Sequence, residues 1–214
     1  MYVCYIIKLA MAADTIVNYK AYADNAVEYN AYMDAFEKAV EVNSVLPEAE
    51  QIPKFQYYTL NLQRARRIYK TYKLTDDIVA ALKALEKPVH WLIITEPWCG
   101  DSSQILSVLQ RIAEESAGKL QLHLLYRDQN LELIDQFLTN GSRSIPKLVQ
   151  LNDRFELTGE WGARPAEAQA LVNKLKAEGM AHDEFIVHLH KWYAADKAQA
   201  LSKEMAKLLG KANQ

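Results

Sequence analysis

The sequence predicts an α/β protein: a mixed central sheet with helices on both faces, preceded by a helical hairpin and followed by a terminal helix. Three patterns carry that reading. Val89-His90-Trp91-Leu92-Ile93-Ile94 is an apolar run rich in β-branched residues, as a strand covered on both faces requires. Runs of this kind alternate with helix-spaced segments in the order β-α-β, helix, β-β-α across residues 88–180. On either side of that block, apolar residues recur at steps of three and four.

In chain order, the apolar stretch Tyr2 to Ile7 is short, has no positive charge before it and is interrupted by Lys8. Residues 1–14 therefore read as a flexible tail rather than a leader, with Met11 a second candidate start. Residues 15–87 read as helical. Tyr19, Tyr22, Ala26, Tyr29, Met33, Phe36 and Val40 form one stripe on a long helix. Beyond Pro47 and Pro53, Phe55, Tyr58, Leu62, Ala65, Tyr69 and Tyr72 form a second. The short link between them predicts an antiparallel hairpin. The repeated tyrosines predict that part of each seam stays near water, where a hydroxyl finds a partner. Thr75 caps a third helix over residues 76–85, which Pro88 stops.

After the first strand, Ile105, Val108, Leu109 and Ile112 repeat as a helix does, ending near Gly118. Leu120 to Tyr126 reads as a second buried strand, and Leu131, Ile134 and Leu138 as a short helix closed by Asn140-Gly141. Pro146 to Leu151 and Arg154 to Glu160 read as strands joined by a hairpin turn at Asn152-Asp153. Pro165 and Gly179 bracket a further helix. In the extension, residues 181–214, Phe185, Leu189, Trp192 and Tyr193, then Leu201, Met205 and Leu208, give one or two terminal helices.

Composition narrows the function. The 214 residues carry 25 Lys+Arg against 27 Asp+Glu, a net charge of −2, so electrostatics gives no reason to expect nucleic acid or an anionic membrane as partner. No apolar run is long enough to span a bilayer. Two cysteines, Cys4 and Cys99, are too few for a disulfide scaffold and fit a reducing cytoplasm. No Gly-rich phosphate loop and no Ser-His-Asp set is visible, and no cofactor or metal is implied.

The chemistry-bearing segment closes the first strand: Thr95-Glu96-Pro97-Trp98-Cys99-Gly100-Asp101-Ser102. Cys99 stands at the mouth of the next helix, where unpaired N–H groups and the positive dipole end favour a thiolate. Ser102 lies one turn on, within hydrogen-bond reach of the sulfur, while Asp101 opposes ionisation by repulsion. Trp98 to Ser102 resembles the active-site turn of thioredoxins, in which two cysteines bracket two residues. Ser144-Ile145-Pro146 resembles their cis-proline loop, and Gly162 matches a glycine where partner proteins approach the groove. With its helical lead-in, Glu96 to Ser102 is similar to a bacterial thioredoxin-like family, and the likeness covers residues 88–180.

The resemblance implies a thioredoxin-like fold, with two departures that reshape the chemistry. Ser102 stands where the resolving cysteine would be, and Ile93 where thioredoxins carry a buried aspartate that assists proton transfer. What remains is a monothiol thiol–disulfide oxidoreductase: Cys99 attacks a disulfide and an outside thiol releases the mixed disulfide. Ser102 would donate to the Cys99 sulfur, with Trp98, Gly100 and Asp101 in support. Ile145, Pro146 and Gly162 would line the groove for a protein disulfide or a small thiol. Trp161 reads either as groove floor or as ordinary packing. Cys4 reads as a tail cysteine without a partner, the alternative being that a flexible arm brings it to resolve Cys99.

The competing reading is a non-catalytic interaction module, in which the groove or the helical hairpin binds a partner or a second copy of the chain as a homodimer. His182, His188 and His190 read as surface residues, since positions two apart on a helix cannot share a metal. His90 and His123 read as hydrogen-bonded structural residues. Arg64, Arg66, Arg67, Lys70 and Lys73 read as a solvated face, or as a site for an acidic partner.

Overall fold

A computed structural model describes residues 17–212. The tail over residues 1–14, with Cys4 and Met11, lies outside the described residues. The first helical stripe is two helices, α1 (Tyr19–Asp24) and α2 (Tyr29–Ser44), rather than one long helix. The break has a cause. Val27 leaves the helical path to exchange backbone hydrogen bonds with Leu124, at 2.8 and 2.9 Å, adding a single antiparallel bridge to a strand edge. Asn25 closes α1 by donating its side-chain amide to the Ala21 carbonyl.

The second stripe is α3 (Tyr58–Thr71), entered through a 3-10 turn at Phe55–Tyr57. Tyr29 stacks on Tyr69 while Phe36 packs edge-on against Tyr58, so α2 and α3 run antiparallel as their spacing predicts. The tyrosines divide: Tyr19, Tyr22 and Tyr69 stay half-buried, the Tyr69 hydroxyl donating to Glu114 at 2.6 Å, while the others turn inward. Tyr29, Tyr32, Tyr58 and Tyr72 are buried, and partners inside the fold satisfy hydroxyls: Tyr29 with Ser107 and Tyr72 with Ser202, both at 2.8 Å. Most of each stripe packs on the core. Thr75 caps α4 (Asp76–Lys83) as expected, accepting from Ile78 N.

The sheet contains β1 (Val89–Thr95), β2 (Leu120–Tyr126), β3 (Lys147–Leu151) and β4 (Leu157–Gly162) in the order β2-β1-β3-β4. β1 is parallel to β2 and antiparallel to β3, which is antiparallel to β4. Side-chain alternation along β1 divides the core. Val89, Trp91 and Ile93 face one apolar cluster, which α5 (Gly100–Glu114) joins through Ile105, Val108, Leu109 and Ile112. Leu92 and Ile94 face another, with Ala23 of α1 and Leu133 and Ile134 of α6 (Leu131–Ile134). Covering both faces explains why β1 is fully buried. β2 is a sheet edge, and of its residues only Leu120, Leu124 and Leu125 are buried, which corrects its reading as a buried strand.

The β3–β4 connection is longer than the two-residue turn that Asn152-Asp153 suggests. β4 begins at Leu157, because the Asn152 side chain accepts from both Arg154 N and Glu156 N and holds the loop open. Phe155 takes a left-handed φ of 60° and stacks on His90 at 4.2 Å. After α7 (Ala166–Ala177), two helices close the chain: α8 (His182–Asp196) against α7 and α9 (Gln199–Leu209) against α4 and β4. Buried Gln150 ties α9 to the sheet, donating to the Leu208 carbonyl at 2.8 Å and accepting from Trp91 Nε1 at 3.0 Å.

Candidate active site

β1 delivers Thr95 and Glu96 to the end of the sheet, and Cys99 is the N-cap of α5. Its sulfur accepts from Ser102 N at 3.5 Å, and its S–H donates to the Ile145 carbonyl at 3.3 Å. The Ile145–Pro146 peptide is cis and runs past the sulfur. Gly162 packs behind that loop with φ of +129°, and a Cβ there would collide with the Pro146 carbonyl oxygen. The space the glycine leaves is therefore filled by this chain's own backbone. Across the motif, Asn61 of α3 donates to the Pro97 carbonyl at 3.1 Å and ties the turn to the helical hairpin.

The thiol is not poised as its place at a helix start suggests. Cys99 is 8% exposed. Burial first, and the Asp101 carboxylate second, push its pKa up to about 11, against the lowering effect of Ser102 and nearby backbone N–H groups. The dipole end is present, but desolvation of a buried thiolate outweighs it. Cys99 is a neutral thiol at physiological pH.

Two polar networks meet at the sulfur. One is a chain of hydroxyls: Tyr32 bonds Thr95, and Thr95 donates to Ser102 Oγ at 2.8 Å, which leaves the Ser102 proton for Cys99. The other is charged. Buried Asp101 pairs with Arg164 at 2.6 Å and accepts from the Tyr193 hydroxyl at 2.7 Å. Burial raises the Asp101 carboxyl, and Arg164 and Tyr193 pull it back. Ile93, at the place of the family's aspartate, is fully buried in the apolar cluster and has no proton to move.

His190 is not the surface residue that helical spacing implies. It lies beside the motif, accepting from Gln104 Nε2 at 3.2 Å, and a Cβ on Gly100 would come to 3.0 Å from its Nε2. Burial, then Arg64 and Arg164, lower its pKa to about 4. His188 is exposed as expected. His90 Nδ1 and His123 Nε2 are 3.1 Å apart, a structural pair. Among the described residues no group of His, Cys, Asp or Glu has the arrangement of a metal site.

Cys99, Trp98 and Gly100 form the floor of a cleft of about 820 Å³ between the start of α3 and α8. Lys54 Nζ lies 3.4 Å above the Trp98 ring and the Arg127 guanidinium 4.7 Å from it, so the indole is held by two cations. The Ile145 carbonyl stands against the sulfur, but Ile145, Pro146 and Gly162 are not among the residues that line this cleft, and Trp161 is drawn away. Its indole N–H donates to Glu204 of α9, and its ring packs into the apolar cluster, which corrects the groove reading in favour of packing. Tyr32, Thr95, Arg164, Tyr193 and His190 were not legible as site residues, because their contacts with the motif are long-range in sequence.

A thioredoxin family model matches residues 49–176. Over 79 residues, 36% of this chain, the sequence is 37% identical to thioredoxin of Bacillus subtilis (strain 168) and spans 73% of it. Over 69 residues, 32% of this chain, it is 36% identical to thioredoxin of Haemophilus influenzae and spans 62% of it. Among solved structures, an HIV epitope-scaffold superposes with a TM-score of 0.58 at 16% identity, covering 91% of this chain and 98% of that one. A protein of unknown function from Pseudomonas aeruginosa gives 0.56 at 16% identity, covering 86% and 98%. At such identities the structural likeness speaks for the fold. No helix among the described residues is long and apolar enough to cross a membrane.

Proposed function

Because this chain belongs to the thioredoxin-like family, we propose that it exchanges thiols with disulfides through Cys99, one sulfur at a time. The observation that carries the reading is the setting of that sulfur: at the N-cap of α5, facing the carbonyl before cis-Pro146, on the floor of an open cleft. In the exchange, the Cys99 thiolate attacks one sulfur of a disulfide. A Cys99–S–S–R bond forms, the old S–S bond breaks, and R–S⁻ leaves with the electron pair and takes up a proton. Ser102 N–H and the Ser102 hydroxyl steady the negative sulfur before attack. With serine at position 102 the mixed disulfide waits for an outside thiol, whose thiolate attacks the substrate-derived sulfur. A new S–S bond forms there, the Cys99–S bond breaks, and Cys99 leaves as the thiolate and takes up a proton.

The raised thiol pKa sets the pace. The exchange rate should climb about tenfold per pH unit between pH 7 and 10, as the thiolate fraction does. A direct test uses a Cys4→Ser protein incubated with 2-hydroxyethyl disulfide and followed by intact mass. One mercaptoethanol adduct, absent in the Cys4→Ser, Cys99→Ser double variant and lost on adding thiol, supports the proposal. No adduct at pH 9, under conditions where the denatured chain reacts, refutes it and leaves the interaction-module reading.

A further inference from the structure

The cleft over Cys99 carries a charge pattern that the exchange step does not use. Its walls are apolar and open: Tyr57 is 46% exposed, Leu60 50% and Val187 51%. Around them stand Lys54, Arg64 and Lys191, while the carboxylate among the lining residues is Asp183. Arg64 is the telling member. Its Nη1 donates at 2.9 Å to the neutral Asn61 side chain, and no carboxylate pairs with it among the described residues. The nearby Arg66 does have such a partner, Glu37 at 2.6 Å. Burial and the neighbouring Arg67 both work against the Arg64 charge, so a cation is held half-desolvated at the cleft wall without compensation.

An uncompensated guanidinium beside an apolar slot of small-molecule size is complementary to an anion on a short apolar arm. Cys99 at the floor supplies the reacting atom. Resting on the exchange reading above, we propose that the substrate is a low-molecular-weight disulfide whose arms end in carboxylates. The carboxylate meets Arg64, with Lys191 opposite, and the S–S bond descends to Cys99. The products are the Cys99 mixed disulfide and a free carboxylate-bearing thiol. An outside thiol of a second kind then attacks the carboxylate-bearing sulfur of the adduct, forms a disulfide with it and releases Cys99, so the electrons that reduce the first disulfide come from that thiol.

The test compares three disulfides of similar arm length and different charge: 3,3′-dithiodipropionate, 2-hydroxyethyl disulfide and cystamine. Adduct formation on the Cys4→Ser protein is timed by intact mass, and each rate is divided by that of a neutral reference thiol, N-acetylcysteine amide. The dianion should exceed the neutral compound by about tenfold and cystamine should be slowest, with the spread shrinking in high salt. Arg64→Gln should cut the anion-to-neutral ratio at least about fivefold, and Lys191→Gln gives the same readout should Arg64→Gln fail to fold. Equal normalised rates, or a ratio untouched by both variants, would overturn the substrate class while leaving exchange at Cys99 intact. No adduct with any of the three removes the exchange reading itself, and this inference with it.

Discussion

The two networks that meet at Cys99 act on the same sulfur in opposite directions. The hydroxyl chain through Tyr32, Thr95 and Ser102 offers a proton to the thiolate and favours ionisation. The charged network of Asp101, Arg164 and Tyr193 places a buried carboxylate two residues along and disfavours it. Burial adds to the second side, and the thiol ends near 11. A helix start therefore does not fix the reactivity of its first cysteine. Burial decides it first, and Asp101 of the same helix, itself held by Arg164 before α7 and Tyr193 of α8, adds to it.

The sharpest way to break this balance is Asp101→Asn. Removing the carboxylate leaves Arg164 as the nearest charge, so alkylation of Cys99 at pH 8 should accelerate about thirtyfold. The same change orphans a buried guanidinium and should cost about 3 kcal/mol in urea unfolding. An unchanged alkylation rate would mean that burial alone holds the thiol neutral. Ser102→Cys comes next. It supplies the missing second sulfur one turn from Cys99, and insulin-disulfide reduction should rise about tenfold over the parent. No gain would show that the cis-Pro146 loop does not present a disulfide to the site. A smaller effect is expected from Ser102→Ala, which removes the hydroxyl donor: alkylation should slow about threefold. A faster rate would reverse the sign assigned to the hydroxyl chain.

The mildest prediction concerns acid. Burial is the first cause that lowers His90, His123 and His190 below the usual imidazole range. The unfolded chain thus takes up protons that the folded chain refuses, and stability falls as pH drops below 6.5, for His190 down to about 4. His190 faces Arg64 and Arg164, which reinforce the effect. His90 and His123 face each other, with Asp153, Asp24 and Glu28 partly offsetting it. Glu96 and Asp101 have raised carboxyl pKa values and work the other way, but nearer their own titration range. The thermal midpoint should fall by about 5 °C between pH 7 and pH 5. A flat profile would contradict the burial assigned to these rings.

Much of the fold was legible because its signals are local. β1 is buried on both faces and says so in an uninterrupted apolar run, and Thr75, Pro165 and Gly179 mark their helix ends by their own chemistry. The break at Asn25 to Val27 was hidden, since the stripe from Tyr19 to Val40 continues in register through it and the cause is a bridge to distant Leu124. The site divides the same way. Cys99, Ser102 and Pro146 could be read from short motifs, and they do converge on one point. The sign of the thiol shift could not be read. It depends on desolvation by packed neighbours and on Asp101, whose own partners Arg164 and Tyr193 lie far along the chain. His190 was misplaced for the same reason: helical spacing gives the face of a residue but not which face is covered.

The pH dependence of iodoacetamide alkylation, followed on the Cys4→Ser protein, tests the central claim that Cys99 rests as a buried neutral thiol. The rate should keep rising through pH 10 and approach half its limit near 11. A plateau below pH 8 would mean that the thiolate is already formed at rest, and that neither the burial nor the Asp101 charge governs the sulfur.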